Sequence, residues 1–296
     1  MATDLRGGTR EAPRGRSHVE WRAAPRRLTI WEAGFEPAGV PTWARRPGGS
    51  RSVTLVRSGM YALVTTPSPE AAAAEAAGMV ARAIAAAVAD RDVAHVSLAG
   101  GTTPRRAYEL LGPMVTDWGR VHLWFGDERC VPPDDPDSNF RLVSESLLPT
   151  AAVPEENIHR IAGEWPPEEG AETYAAELAR HVALTRHGVP ALDLAILGLG
   201  EDGHTASLFP GDPMIGISRG LVRHVLAPKP PPHRITLTLD VLHAARAAIL
   251  LATGEGKARA VEAVLRGPDV AVPASLLPPA TTTMIVDEAA GARLRN

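Results

Sequence analysis

From residue 60 onward, short apolar runs alternate with longer stretches whose apolar positions recur at helical spacing. Residues 61–66 read as a short strand. Ser68-Pro69-Glu70 then supplies an N-cap, a proline at the first helical position and an acid in the first turn. The alanine-rich helix it opens is expected to reach about Ala89. A second strand over 95–98 runs into Ala99-Gly100-Gly101-Thr102-Thr103-Pro104, a turn into a helix ending near Leu111, with Pro104 at its first position. A third strand over 121–125 is followed by a loop and a helix with Ser138 as N-cap. A weak strand at 158–161 and a helix over roughly 167–185 come next. Residues 192–197 form the most convincing buried strand, ended by Gly198. The last third adds strands near 221–226, 235–239, 248–252 and 283–286, with helices near 241–246 and 256–266. Strands alternating with helices predict an α/β domain built on a mostly parallel sheet.

The first 59 residues break this pattern. They carry eleven Arg against five acids, a net of +6 that leaves −9 for the rest, together with thirteen Gly plus Pro and no steady period. Such composition does not bury enough surface to offset ordering entropy, so most of it reads as disordered. Trp21, Trp31 and Trp43 lie here and would suit a basic docking arm. The plainer reading, a dispensable tail or sequence upstream of a start at Met60, is preferred. The expected organisation is a basic Gly/Pro/Arg-rich extension over 1–59 and a single catalytic domain over 60–296.

Over the whole chain of 296 residues the net charge is −3, which argues against a nucleic-acid binder. One cysteine, Cys130, rules out an internal disulfide or a multi-cysteine zinc site, and it reads as a packing residue. There is no uninterrupted apolar run of about 18 residues and no basic-then-apolar secretory leader. The expectation is a reduced, cytoplasmic, soluble enzyme or binding protein, monomeric or weakly homo-oligomeric, with a small-molecule partner.

In open α/β sheets, ligands bind beyond the carboxyl ends of the strands, and three post-strand loops stand out. In Gly100-Gly101-Thr102-Thr103-Pro104, two glycines admit close backbone approach, while hydroxyls and a helix N-terminus offer donors to an anion. A tight turn capped by Thr103 is the alternative. Gly126-Asp127-Glu128-Arg129-Cys130 puts three charges at the end of a buried strand, costly unless they pair with each other or a ligand. Downstream, Asp134, Asp135, Asp137, Ser138 and Asn139 make a polar loop able to close over a site. The third loop, Gly198 to Gly211, holds His204 among glycines, with Asp202 two residues away to orient the ring. An unperturbed imidazole pKa of about 6.5 suits general-base work near neutrality.

Two further motif matches fail on context. Gly198 to Gly203 fits G-x-G-x-x-G, but Pro210 and Gly211 leave no room for the helix a dinucleotide site needs. Gly216 to Gly220 fits G-x-S-x-G, yet a strand rather than a helix is expected after it. The C-terminal third adds cations: Arg234 at the start of a strand, and Lys257 between a strand and a helix N-terminus.

Taken together, LAGGTTP, GDERCVPPDDPDSNF, LGLGEDGHTASLFPG, PPHRITL and TGEGKA occur in the order seen in 6-phosphogluconolactonases. The chain resembles that family from about residue 60 to its end, most specifically in DGHTASLFPG and GDER. The resemblance implies the modified Rossmann-like fold shared with glucosamine-6-phosphate deaminases. It also implies hydrolysis of 6-phosphoglucono-1,5-lactone to 6-phosphogluconate, the second step of the oxidative pentose phosphate pathway. By the same resemblance His204 is the general base and Asp202 its partner. Gly101, Thr102, Arg234 and Lys257 contact the phosphate, and Asp127 and Arg129 face the sugar hydroxyls. Thr102 stands where serine is usual, and the N-terminal extension has no counterpart role. A δ-lactone is an activated ester, so positioning, water deprotonation and oxyanion stabilisation suffice, and neither metal nor cofactor is expected. Two competitors remain: an isomerase or deaminase of amino-sugar phosphates, which follows its Asp-Gly-His with a different segment, and a non-catalytic sugar-phosphate sensor, which would not need His204 and Asp202.

Overall fold

The computed structural model describes residues 53–55, 61–215 and 220–294, so the tryptophans of the extension and most of the G-x-S-x-G match lie outside the described residues. In chain order the elements are β1 (Val53–Leu55), β2 (Ala62–Thr66), α1 (Pro69–Arg91), β3 (Ala94–Leu98), α2 (Thr102–Leu111), β4 (Val121–Phe125), β5 (Asp127–Arg129), α3 (Asn139–Ser146), α4 (Pro167–His181), β6 (Leu194–Gly198), β7 (Val222–Leu226), β8 (His233–Leu237), α5 (Leu239–Ala244), β9 (Ala248–Ala252), α6 (Ala258–Arg266) and β10 (Thr282–Asp287).

The strands that read as unbroken apolar runs form the middle of the main sheet, whose order is β1-β2-β10-β9-β6-β3-β4. All its pairings are parallel except that of β1, which runs antiparallel along β2 with Val53 opposite Val64. Every residue of β3, β9 and β10 is buried, as expected for parallel strands covered on both faces. Three residues of the stretch read as an extension, Val53–Leu55, are therefore an edge strand of this sheet.

Helix α1 begins where the sequence places it, with Ser68 Oγ accepting from the Ala71 amide at 3.2 Å. It ends at Asp92, which adopts a left-handed conformation (φ 67°). By length and composition alone α1 could cross a membrane. Its alanine and valine positions, from Ala72 to Ala87, instead pack into the core of this fold.

Four expectations need correction. Pro104 is the third residue of α2, not the first, and Gly101 is the N-cap with φ 110°, a conformation that favours glycine. The weak strand at 158–161 reduces to one bridge, Leu123 to Ile158, because the chain turns at Ile161, whose carbonyl accepts from the Gly163 amide instead of from a strand. Helix α4 stops at His181, since Thr185 to Gly188 form a tight turn with Gly188 at φ 76°. The Asp127–Arg129 segment is a strand, not a loop. It pairs antiparallel with β8, which pairs with β7, in a second sheet that the sequence did not announce.

The chain order reverses at β3. β4 lies on one side of it, and β6 returns to the other. The crevice at that switch point lies beyond the carboxyl ends of β3, β6 and β9, with the small sheet standing beside it.

Candidate active site

A cleft of about 350 Å³ opens at this switch point. Its walls come from the turn after β3, the first residues of α2, the loop after β6 and the β9–α6 turn, with β5 and β8 closing one side. Of the sequence candidates, Gly101, Thr102, Asp127, Arg129, His204, Arg234 and Lys257 all line it, and Asp202 lies behind His204. Residues more than 150 positions apart in sequence converge here because each ends or follows a strand at one edge of the sheets.

The loop after β6 is shaped around the imidazole. Gly203, at φ 87°, closes a turn in which its amide donates to the Gly200 carbonyl, and the Gly200 amide donates to the His204 carbonyl at 2.8 Å. His204 Nδ1 bonds the Asp202 carboxylate, whose Oδ1 also accepts from the His204 amide. Holding Nδ1 as the protonated nitrogen leaves Nε2 with its lone pair. Phe209 packs on the ring with centroids 4.7 Å apart. Burial lowers the His204 pKa more than the Asp202 carboxylate raises it, so the ring is neutral at pH 7. Burial raises the Asp202 pKa, but bonds from the His204 ring and amide outweigh it and hold the carboxyl below its ordinary value.

Asp127 is fixed from two sides: Ser207 Oγ donates to its Oδ2 at 2.6 Å, and Asn139 Nδ2 donates to its Oδ1 at 3.1 Å. The neighbouring Glu128 does different work. It is buried and accepts from Ser138 Oγ and from the amides of Arg129, Asn139 and Phe140, all at 3.0 Å or less. Three of those donors belong to the N-cap and first turn of α3, where a carboxylate also meets the positive end of the helix dipole. Burial pushes the Glu128 carboxyl up against these bonds. Thus Ser138 and Asn139 lock the start of α3 onto β5 rather than closing over the cleft as a free loop.

The same cleft gathers cations. Arg129, Arg234 and Lys257 are joined by Lys229, which the sequence reading missed although it precedes the proline run that Arg234 follows. Arg234 is buried, donates from Nε to the Pro231 carbonyl at 3.1 Å, and lies over the Phe209 ring at 5.7 Å. Lys229 lies over the same ring at 5.5 Å. Burial lowers the Lys229 pKa, and Arg234, Lys257 and Arg129 lower it further. Arg129 Nη1 donates to the Asp137 carbonyl, while its Nε is buried without a partner. Such a cluster calls for an anion. Thr103 Oγ1 and Thr253 Oγ1 are 2.6 Å apart and tie α2 to the β9–α6 turn. Cys130 packs against the core, and burial pushes its thiol up to about 11, which suits packing rather than nucleophilic chemistry.

Comparison with known proteins points the same way. The family model described as glucosamine-6-phosphate isomerases/6-phosphogluconolactonase matches residues 67–286. The chain is 37% identical to a 6-phosphogluconolactonase of Streptomyces coelicolor over 248 residues, covering 78% of this chain and 94% of that one. It is 38% identical to one from Synechocystis over 179 residues, 60% of this chain and 74% of the relative. The solved structure of a Thermotoga maritima 6-phosphogluconolactonase superposes with a TM-score of 0.67 at 30% identity, covering 76% of this chain and 98% of that chain.

Proposed function

The chain belongs to the family of glucosamine-6-phosphate isomerases and 6-phosphogluconolactonases, and on that footing we propose that it hydrolyses 6-phosphoglucono-1,5-lactone to 6-phosphogluconate with water activated by His204. The observation that carries this reading is the pairing, in one cleft, of a neutral imidazole oriented by a carboxylate with four cations that line the same cleft.

The phosphate is held by Arg234, Lys257 and Lys229, with Gly101 and Thr102 at the N-terminus of α2 contributing backbone and hydroxyl donors. Asp127 and Arg129 face the sugar hydroxyls. Anchoring the remote phosphate sets the lactone carbonyl against His204, so binding energy spent there lowers the barrier at the reacting carbon. His204 Nε2 takes a proton from water, and the resulting hydroxide attacks the carbonyl carbon. The tetrahedral intermediate then breaks its bond to the ring oxygen, which recovers the proton from the imidazolium. Asp202 keeps the ring in the correct tautomer and stabilises the imidazolium while it exists.

The test is turnover of freshly generated 6-phosphoglucono-1,5-lactone, corrected for spontaneous hydrolysis, beside ammonia release from glucosamine 6-phosphate. Accelerated lactone opening without ammonia release supports the reading. Ammonia release, or no acceleration of lactone opening, overturns it.

A further inference from the structure

At the amino ends of β3 and β4, on the edge of the sheet opposite the cleft, histidines from separate stretches of the chain meet. His122 is on β4, His159 follows the bridge to that strand, and His181 is the last residue of α4. One ring nitrogen from each lies within 4.8 Å of the others. His159 is buried, its ring stacked on Trp124 at 3.9 Å between centroids and 8° between planes. Its Nδ1 is 2.5 Å from Glu177 Oε1, so that nitrogen carries the proton and Nε2 presents a lone pair. That lone pair faces His122 Nδ1 at 2.8 Å. The exposed His181 ring stands 5.0 Å from the His159 ring. A fourth histidine, His95, lies 4.9 Å from His122, but its Nδ1 is taken by the Trp124 indole N–H at 3.1 Å.

We propose that His122, His159 and His181 form a binding site for a divalent transition-metal ion of the zinc class, with Glu177 orienting His159 from behind and water filling the fourth position. Imidazole nitrogens suit such ions, and a carboxylate holding the far nitrogen of a ligating histidine is the usual support for one. The fit needs little movement. Two nitrogens bound to a tetrahedral zinc at about 2.05 Å stand about 3.3 Å apart, so the His122–His159 pair opens by roughly half an ångström. His122 takes its other tautomer, and the exposed His181 side chain turns inward. No proton is lost overall, since the His122 proton moves from one ring nitrogen to the other. The ion would fasten the end of α4 to the edge strand of the sheet. Its place across the sheet from the cleft makes it a structural clamp, independent of the hydrolytic reading.

The sequence gives no hint of this site, because its ligands are spaced 37 and 22 residues apart and match no zinc motif. The test titrates the full chain, stripped of metal by chelator and dialysed, with Zn²⁺ in a calorimeter, and records its melting temperature. Wild-type chain is expected to bind zinc saturably and to melt about 5–10 °C higher when free zinc stands at a hundred times Kd. His181→Ala, at an exposed position, and His122→Ala are each expected to lose one equivalent and the thermal shift. Glu177→Gln is expected to bind about 10–100-fold more weakly. Absence of saturable binding in the wild type, or equal stoichiometry and affinity in wild type, His181→Ala and His122→Ala, overturns the proposal.

Discussion

Replacing Gly200 by alanine is a perturbation aimed at the imidazole and the carboxylate that holds it. A Cβ there would stand 1.9 Å from His204 Nδ1, 2.2 Å from Cε1 and 2.5 Å from Asp202 Oδ1. The backbone at Gly200 is not in the left-handed region, so alanine brings a clash rather than backbone strain. Ordinary contact lies near 3.5 Å, so the ring must retreat by roughly 1.5 Å and break its bond to Asp202. Misplacing a reacting group by about 1 Å can cost about 10²-fold, and removing a general base about 10²–10⁴-fold. Gly200→Ala is therefore expected to lower kcat by about 10²–10³-fold. KM for the phosphorylated lactone should change less than kcat, because the atoms nearest the added Cβ belong to His204 and Asp202 and not to the cations that hold the phosphate. The assay is initial rates with 6-phosphoglucono-1,5-lactone on Gly200→Ala, His204→Ala and the double variant. If the glycine acts through the ring, the double variant is no slower than His204→Ala by more than about threefold. A Gly200→Ala enzyme near the wild-type rate, or losses that multiply in the double variant, would refute the reasoning.

Other consequences can be checked separately. Arg234→Ala, Lys257→Ala and Lys229→Ala should each raise KM for the phosphorylated lactone by one to three orders of magnitude, from roughly 1.5–3 kcal/mol per charge-assisted contact. Hydrolysis of unphosphorylated gluconolactone should be unchanged, and equal losses on both substrates would remove these cations from phosphate binding. Glu128→Ala leaves four donors without their acceptor, three of them at the start of α3, and should cost roughly 3 kcal/mol by denaturant titration; a loss below about 1 kcal/mol would contradict that role. A chain beginning at Met60 lacks β1 but keeps every residue of the cleft, so steady-state kinetics should stay within about threefold of the full chain. A tenfold loss would show that the extension reaches the site.

The sheet was legible because its central strands are short apolar runs bounded by glycine and polar turns. Strands β4 and β9 were read to the residue, and the Ser68 and Ser138 caps held because a serine hydroxyl has a local amide to satisfy. The second sheet was not legible. Asp127-Glu128-Arg129 has three charges in succession, and only tertiary partners from Ser138, Asn139, Phe140 and Ser207 make it tolerable as a strand. The site residues could be gathered as motifs after strands, but their convergence depends on the reversal of strand order at β3, which sequence periodicity does not encode. Lys229 was passed over because a lysine before three prolines has no local signature. Only the fold sets it beside Arg234 over Phe209.

The central claim is that His204, held by Asp202, deprotonates the attacking water, and the pH dependence of kcat/KM tests it most directly. The base must be neutral, and burial holds its pKa below the ordinary imidazole value of about 6.5, so activity should fall only as pH drops below that value. Asp202→Asn removes the group that raises this pKa, so its limb should shift to still lower pH while the rate falls. Measured from pH 5 to 8, the wild type should show this acidic limb. His204→Ala should lose it along with about 10²–10⁴ in rate, while still binding 6-phosphogluconate. A His204→Ala enzyme that keeps more than about a third of the wild-type rate with the limb in place would contradict the account and turn attention to Asp127 as the base.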